Sequence, residues 1–349
     1  MAGYLASIGH DVALYNRSSG RINPFRERGY IDLEGVLHGR GKLSSIGSDI
    51  SEAVSGRDVI MVAITANGHK EIAEKIAPHL RDGQIIMLNP GRTCGALEVD
   101  YTLRQCGCRA KVIIAEANTL AFTVRVTTAG IATIKGVKRE VAVAALHAED
   151  TEHVIETLSS AFPQFKGVSS FLETSFGNIG AIFHPTITLL NKDRILAGEE
   201  FDFYTNGISR KVANLMDWVA YEAKSVAGKL GARVLSVTEW LASRYNLKLS
   251  DIYAMTRSNP AYQGIKAPRT LDTRYLWEDI PTGLVPISTF GNALGVDTSA
   301  IDRLINEGCD VLDRDFWKEG RTFDKLGLSE ETLLSDMKKI IGCKRAVHR

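Results

Sequence analysis

The sequence predicts an α/β half built on a parallel sheet, followed by an all-helical half. Three observations carry this. Short continuous apolar runs, Asp58–Thr65 (DVIMVAIT), Ile85–Leu88 and Val112–Ala115, recur before residue 168 with helical patterns between them; such runs mark strands buried on both faces. From Gly177 onward the apolar residues recur at helical spacing instead. Between these regimes lies Gly177–Asn191, GNIGAIFHPTITLLN, a histidine directly before a proline in an apolar run closed by an asparagine. A junction of two such halves is a common place for a small-molecule site. The division expected is 1–168 and 169–349.

Composition narrows the class. At 349 residues the chain is long enough for two domains, and 44% hydrophobic with 24% charged residues is ordinary for a globular protein. A net charge of +1 gives no reason to expect nucleic acid or an anionic membrane surface. The five cysteines (Cys94, Cys106, Cys108, Cys309, Cys343) are odd in number and scattered. Cys106-Gly107-Cys108 is too close for a zinc knuckle, so no metal site is expected and a reduced, cytoplasmic setting fits best. No apolar run has the length of a membrane span, and His10-Asp11 interrupts the apolar start, unlike a signal peptide.

In chain order, Met1–Ile8 reads as a short helix stopped by Gly9, and Val12–Tyr15 as a buried strand followed by Asn16-Arg17-Ser18. Helix, glycine, strand and polar turn form the middle of a βαβ nucleotide-binding unit. The first half is therefore expected to be a Rossmann-type domain with its first strand missing, since neither that strand nor a G-x-G-x-x-G turn stands before Met1. Arg17 lies where such a unit reads the adenosine ribose. An arginine there accommodates the 2′-phosphate of NADP, so Asn16, Arg17 and Ser18 lean towards NADP over NAD. Stacking on the adenine face, or a solvated turn, fits Arg17 as well.

Residues 19–56 are polar and glycine-rich, with short strands around Tyr30–Leu33 and a helix start at Ser51. Gly68–Leu80 is an amphipathic helix with Ile72, Ile76 and Leu80 at four-residue spacing. Ligands in parallel sheets lie beyond the carboxyl ends of the strands, which places Ile64, Thr65, Asn89, Glu116 and Asn118 towards a cleft. Of these, Ile64, Thr65 and Glu116 are the expected cofactor contacts. Residues 124–147 read as two strands around Lys135-Gly136, and Glu152–Phe162 as the last helix of this half. Beyond Gly177, Lys211–Leu230, Val234–Tyr245 and Asp297–Leu312 are helices. Gly264–Leu276 is a polar loop with Lys266, Arg269 and Arg274, and the tail from Glu330 is an amphipathic segment with a basic end.

Pro185 suits the first position of a helix, which would put His184 at a helix N-terminus. That location disfavours an imidazolium, so a proton-holding His184 needs a nearby carboxylate. A core histidine satisfied by a backbone carbonyl fits the same stretch.

GNIGAIFHPTITLLN together with RYLWEDIPTGLVPISTFG (274–291) resembles the opine dehydrogenase family, of the octopine and nopaline dehydrogenase type. The first carries that family's His-Pro after a Gly-Asn, the second its Arg-Tyr-x-x-Glu-Asp-Ile-Pro, and the resemblance runs from Gly9-His10-Asp11-Val12 to about Leu312. It implies that His184 is catalytic, that Asp279 pairs with it and that Arg274 holds a substrate carboxylate. It also implies an amino acid and an α-keto acid as substrates, joined and reduced by NAD(P)H to a secondary amine with two carboxylates. Asn191 and Arg125 are further candidates for substrate contacts, with Arg194 and Arg257 as alternatives for the second carboxylate. An exposed apolar face on the long helices would be compatible with a homodimer.

The absent glycine-rich turn departs from the family. Either the chain starts late, or it is a paralogue that does not bind dinucleotide; persistence of Arg17, His184 and Asp279 favours the first. Two other functions stay open: a hydroxy- or keto-acid reductase of the same two-domain plan, against which the histidine counts, and a non-catalytic nucleotide- or metabolite-binding protein.

Overall fold

The computed structural model describes residues 1–128 and 130–342; the basic end of the tail lies outside them. The chain forms two compact units. The first comprises Met1–Ile64, Gly68–Pro90 and Val99–Ser169. The second comprises Thr65–Asn67, Gly91–Glu98 and the chain from Ser170. A single boundary near residue 168 therefore leaves out two short segments of the early sequence.

Among the described residues of the first unit, eleven strands form three sheets. They are β1 (Ala13–Tyr15), β2 (Tyr30–Gly35), β3 (Gly39–Lys42), β4 (Ser45–Gly47), β5 (Val59–Val62), β6 (Ile85–Leu88), β7 (Ile113–Ala117), β8 (Phe122–Thr128), β9 (Ile131–Val137), β10 (Val141–Ala145) and β11 (Phe165–Gly167). The largest sheet has the order β11-β10-β7-β6-β5. Its β5, β6 and β7 run parallel, with Val59 opposite Ile85 and Ile85 opposite Ile113. Every residue of β6 and β7 is buried, in β6 as its uninterrupted apolar character requires. β1 pairs in parallel with β4 alone. Thus β1 and β5, which the fold class would place on either side of its first strand, lie in separate sheets.

The helices of this unit are α1 (Ala2–Ser7), α2 (Ser19–Arg28), α3 (Ile50–Val54), α4 (His69–Ile76), α5 (Gly95–Gln105), within which the chain passes between units, and α6 (Thr151–Leu158). α2 was not expected. It is so polar that Ile22 is its one buried residue, and charge obscured its period. Its end is marked by Gly29 in the left-handed region at φ 71°. The stretch 124–147 holds three strands, not two. Thr123 faces Gly136 and Val124 faces Ile134, so Lys135 is the extra residue of a β-bulge inside β9, not a hairpin turn.

The second unit is helical: α7 (Phe171–Phe176), α8 (Ile179–Leu190), α9 (Lys192–Leu196), α10 (Arg210–Lys229), α11 (Val237–Tyr245), α12 (Ile252–Ser258), α13 (Arg274–Trp277), a π-helical turn at Ile280–Leu284, α14 (Val285–Ala293) and α15 (Ser299–Leu312), with shorter helices beyond. Pro185 lies inside α8, so His184 is not at a helix N-terminus. Ala181, Ile182, Phe183 and Ile187 are all buried. That apolar face sustains the helix through a proline that removes one backbone hydrogen bond, a disturbance of about 3 kcal/mol. The helix-dipole effect expected on His184 is absent, because it fades within the first turn.

Arg321, 1% exposed, ties the two early segments into this unit. Its Nη1 donates to the carbonyls of Gly91 (3.1 Å) and Thr93 (2.8 Å), its Nη2 to Ala66 (3.0 Å), and its Nε to Glu98 (2.9 Å). Among the described residues, no helix is long and apolar enough to cross a membrane.

Candidate active site

The site builds outward from α8. Gly283 of the π-helical turn packs so closely on this helix that a Cβ there would lie 2.6 Å from the Cβ of Ala181. This approach carries Asp279, fully buried, beneath His184. Asp279 Oδ2 lies 2.8 Å from His184 Nδ1 across 95 residues of sequence. A carboxylate only accepts, so Nδ1 carries the proton of that bond. On the other side Nε2 lies 3.2 Å from the hydroxyl of Tyr204. Nε2 accepts from Tyr204 when the imidazole is neutral and donates to it when the ring is charged. The ring of Tyr275 stacks on the imidazole at 4.4 Å, and Phe203 stacks on Tyr275 at 4.8 Å. The histidine ring is thus fixed by hydrogen bonds at both nitrogens and packing on a face.

Two arginines complete the cluster. Arg92, with its side chain 11% exposed, places Nη1 3.4 Å from Asp279 Oδ1 and Nε 3.5 Å from Glu278 Oε1. Asn178 Oδ1 lies 3.3 Å from the same Nη1. Glu278 also accepts from the backbone N–H of Ala66 at 3.1 Å and lies 3.3 Å from Arg274 Nη1. Arg274 is half-exposed.

Burial pushes the Asp279 carboxyl up, but Arg92 and then His184 outweigh it and hold it below its ordinary value. Burial likewise pushes the Arg92 guanidinium down, and Asp279 and Glu278 more than restore it. The Tyr204 phenol is driven far above its ordinary value, chiefly by burial, and stays protonated.

Of the residues singled out in the sequence, His184, Asp279 and Arg274 fall in this one cluster. Arg274 touches Glu278 and not Asp279. Asn191 is buried, with its side chain engaged by protein groups. Its Nδ2 donates to the carbonyls of Ile187 (2.8 Å) and Gly207 (2.9 Å), and its Oδ1 accepts from Arg194 (2.8 Å). An asparagine ending a helix is a natural acceptor and donor for such loose backbone groups. Arg125 belongs to the first unit, exposed on β8 opposite Thr133. Glu116 is not in a turn: β7 runs through it, and it is fully buried between Leu88 and Ala144. Ile64 and Thr65 are exposed beyond β5.

Asn16, Arg17 and Ser18 follow β1 as a bend, with Arg17 exposed and its two neighbours half-buried. Asn16 Oδ1 accepts from the Ser18 N–H at 2.9 Å. Ser18 precedes α2 without using its side chain as a cap. Arg17, 70% exposed, pairs with Glu71. A cation and an uncommitted hydroxyl at a helix start form a donor set that suits a phosphate.

Arg92, Glu278 and Tyr204 were missed. Arg92 directly follows Pro90-Gly91 and takes φ 61°, a region non-glycine residues rarely occupy, which its residue type does not announce in the sequence. Tyr204 stands in a polar stretch beside Phe203, an aromatic pair that nothing local required.

Comparison with known proteins bears on the family and the fold. A family model described as NAD/NADP octopine/nopaline dehydrogenase, alpha-helical domain, matches residues 167–312. The opine dehydrogenase of Arthrobacter sp. (strain 1C) is 39% identical over 329 residues, which span 94% of this chain and 91% of that one. Among solved structures, octopine dehydrogenase in complex with NADH and agmatine superposes with a TM-score of 0.83 at 20% identity, covering all of this chain and 96% of that one. Yersinopine dehydrogenase with NADP+ bound gives a TM-score of 0.71 at 16% identity, over 95% and 92% of the two chains. These structures share the fold, and the Arthrobacter relative sets the lineage: the chain belongs to the opine dehydrogenase family and is an oxidoreductase of the opine dehydrogenase type.

Proposed function

We propose that the enzyme joins an amino acid to an α-keto acid and reduces the product at the expense of NAD(P)H, with the first unit holding the dinucleotide and the second the substrates. The observation that supports this most directly is His184 held at 2.8 Å by the fully buried Asp279, with the half-exposed Arg274 beside them. The dinucleotide, when bound, supplies the hydride. Asn16, Arg17 and Ser18 would hold its ribose end, and Ile64 and Thr65 are exposed to serve it further along.

The chain's own residues do the acid–base work. Condensation of an amine with a keto acid passes through a carbinolamine, and loss of its hydroxyl as water requires a proton. His184 supplies it from Nε2, the nitrogen not bonded to Asp279, once the Tyr204 hydroxyl turns aside or passes the proton on. Asp279 fixes the tautomer and stabilises the imidazolium formed when the proton is recovered. Arg274 takes a substrate carboxylate, which a guanidinium can grip with two parallel bonds. Tyr275 keeps the ring from rotating. A cytoplasmic setting belongs to the same reading.

The test is a comparison of wild type and His184→Ala for NADPH oxidation with keto acid and amine together. Turnover should fall by about two orders of magnitude or more while NADPH binding is retained; undiminished turnover would remove His184 from the chemistry. Oxidation with keto acid alone would indicate a hydroxy-acid reductase. No oxidation with any pair would indicate a binding protein.

A further inference from the structure

The cluster around His184 holds more buried charge than a histidine–aspartate pair requires. Glu278 and Asp279 are adjacent in sequence and only 2% and 0% exposed. Two carboxylates so buried do not both stay ionised without a cation. Arg274 is half-exposed and, of the two carboxylates, lies against Glu278, at 3.3 Å. Arg92 lies against both, at 3.5 and 3.4 Å, and Asn178 Oδ1 orients the same guanidinium at 3.3 Å. Room for it comes from α8 itself. A Cβ on Gly180 would lie 2.5 Å from Arg92 Nη1 and 3.1 Å from Asp279 Oδ1, so glycine at this position admits the contact.

We propose that Arg92 is a positioning residue that sets the pH at which the His184–Asp279 pair takes up its proton, by sharing the Asp279 charge that His184 would otherwise neutralise alone. The proposal rests on the reading of His184 as a proton donor. The groups facing His184 are Asp279 at Nδ1, Tyr204 at Nε2 and Tyr275 on the ring face, with Glu278 and Arg274 on the same segment as Asp279 and Tyr262 stacked behind Tyr204. Among the described residues, Arg92 is the buried cation that touches Asp279. With it present, the carboxylate is already partly neutralised and stabilises an imidazolium at His184 less, so the pair releases its proton more readily. With it gone, the pair binds that proton more tightly, whichever of the two sites carries it.

The experiment is a carbon-13 NMR titration of His184 in the full chain, assigned by the signal lost in His184→Ala, alongside the pH profile of kcat/KM. Arg92→Gln should raise the midpoint by about one pH unit or more, a tenfold gain in proton affinity, with the kinetic profile moving in parallel. Arg92→Lys should return both towards wild type. An unchanged or lowered midpoint in folded Arg92→Gln overturns the proposal. If that variant does not fold, Gly180→Ala, which keeps the charge and displaces the guanidinium, is judged by the same criterion. The titration is read without turnover. A raised midpoint together with a fully active His184→Ala would therefore retire the catalytic reading alone, and an unmoved midpoint with an inactive His184→Ala would retire this one.

Discussion

Two regions of this enzyme are built from the same chemistry and differ in how much water reaches them. In the first unit Glu71 lies between Arg17 and Lys75, with the three side chains 39–70% exposed. In the second, Asp279 and Glu278 lie between Arg92, His184 and Arg274, and the carboxylates are 0% and 2% exposed. Both carboxylate sites are held below their ordinary pKa, Glu71 first by its bond to Lys75, and Asp279 by Arg92 and His184 against its own burial. In the wet cluster each charge is solvated separately, and a lost partner is replaced by water. In the dry one no charge stands alone, and removal of any member leaves the others without solvation.

Variants can break or sharpen this contrast. The largest effect is expected at the dry extreme, where Arg321 binds Glu98 and three backbone carbonyls. Arg321→Met should cost about 3–5 kcal/mol in chemical denaturation, because Glu98 and three backbone carbonyls lose a buried cationic donor; a loss below about 1 kcal/mol would place Arg321 with surface pairs. Next comes Asp279→Asn, which should lower turnover by about two orders of magnitude with NADPH affinity kept, since the amide cannot hold the required tautomer. It also tests the charge directly. Asp279 has a depressed folded-state pKa, so its contribution to stability is complete above the ordinary value of 3.8 and is lost as pH falls below it through the folded value. The stability difference between wild type and Asp279→Asn should shrink over that acid range; a constant difference would mean that the carboxylate is not what stabilises. The smallest effects belong to the wet cluster. Arg17→Ala should weaken NADPH about tenfold and NADH little, while changing stability by less than about 1 kcal/mol. Equal weakening of both cofactors would show that Arg17 does not read the 2′-phosphate.

The contrast also explains what could be read from the sequence. Strands such as β6 were legible because a strand buried on both faces reads as one apolar run, whereas the buried Glu116 inside β7 made that strand look as though it ended early. α2 was illegible because its apolar face is a single buried residue, Ile22. His184, Asp279 and Arg274 were found through two motifs, and no periodicity would have joined residues 95 apart. A buried arginine and an exposed one look alike in a single sequence, so nothing there marked Arg92 as the buried one and Arg125 as exposed on β8. Pro185 misled in a definite way. Its preference for a helix start is a local rule, and the buried face of α8 overrides it. The residue type of Asn191 suits a ligand contact and a backbone cap alike, and its bonds to the carbonyls of Ile187 and Gly207 could not be read from the sequence.

The membership of Thr65–Asn67 and Gly91–Glu98 in the helical unit bears on how such enzymes exchange parts. Recombination at a single crossover near residue 169 would transplant His184, Asp279 and Arg321 and leave behind Ala66, Arg92 and Glu98. The chimera would inherit the visible catalytic motif with its charge partners drawn from a stranger. A swap that carries all three segments keeps the cluster whole. The helical unit is therefore a discontinuous module, and grafts designed on sequence continuity alone should fail at Arg92 and Arg321 before they fail at His184.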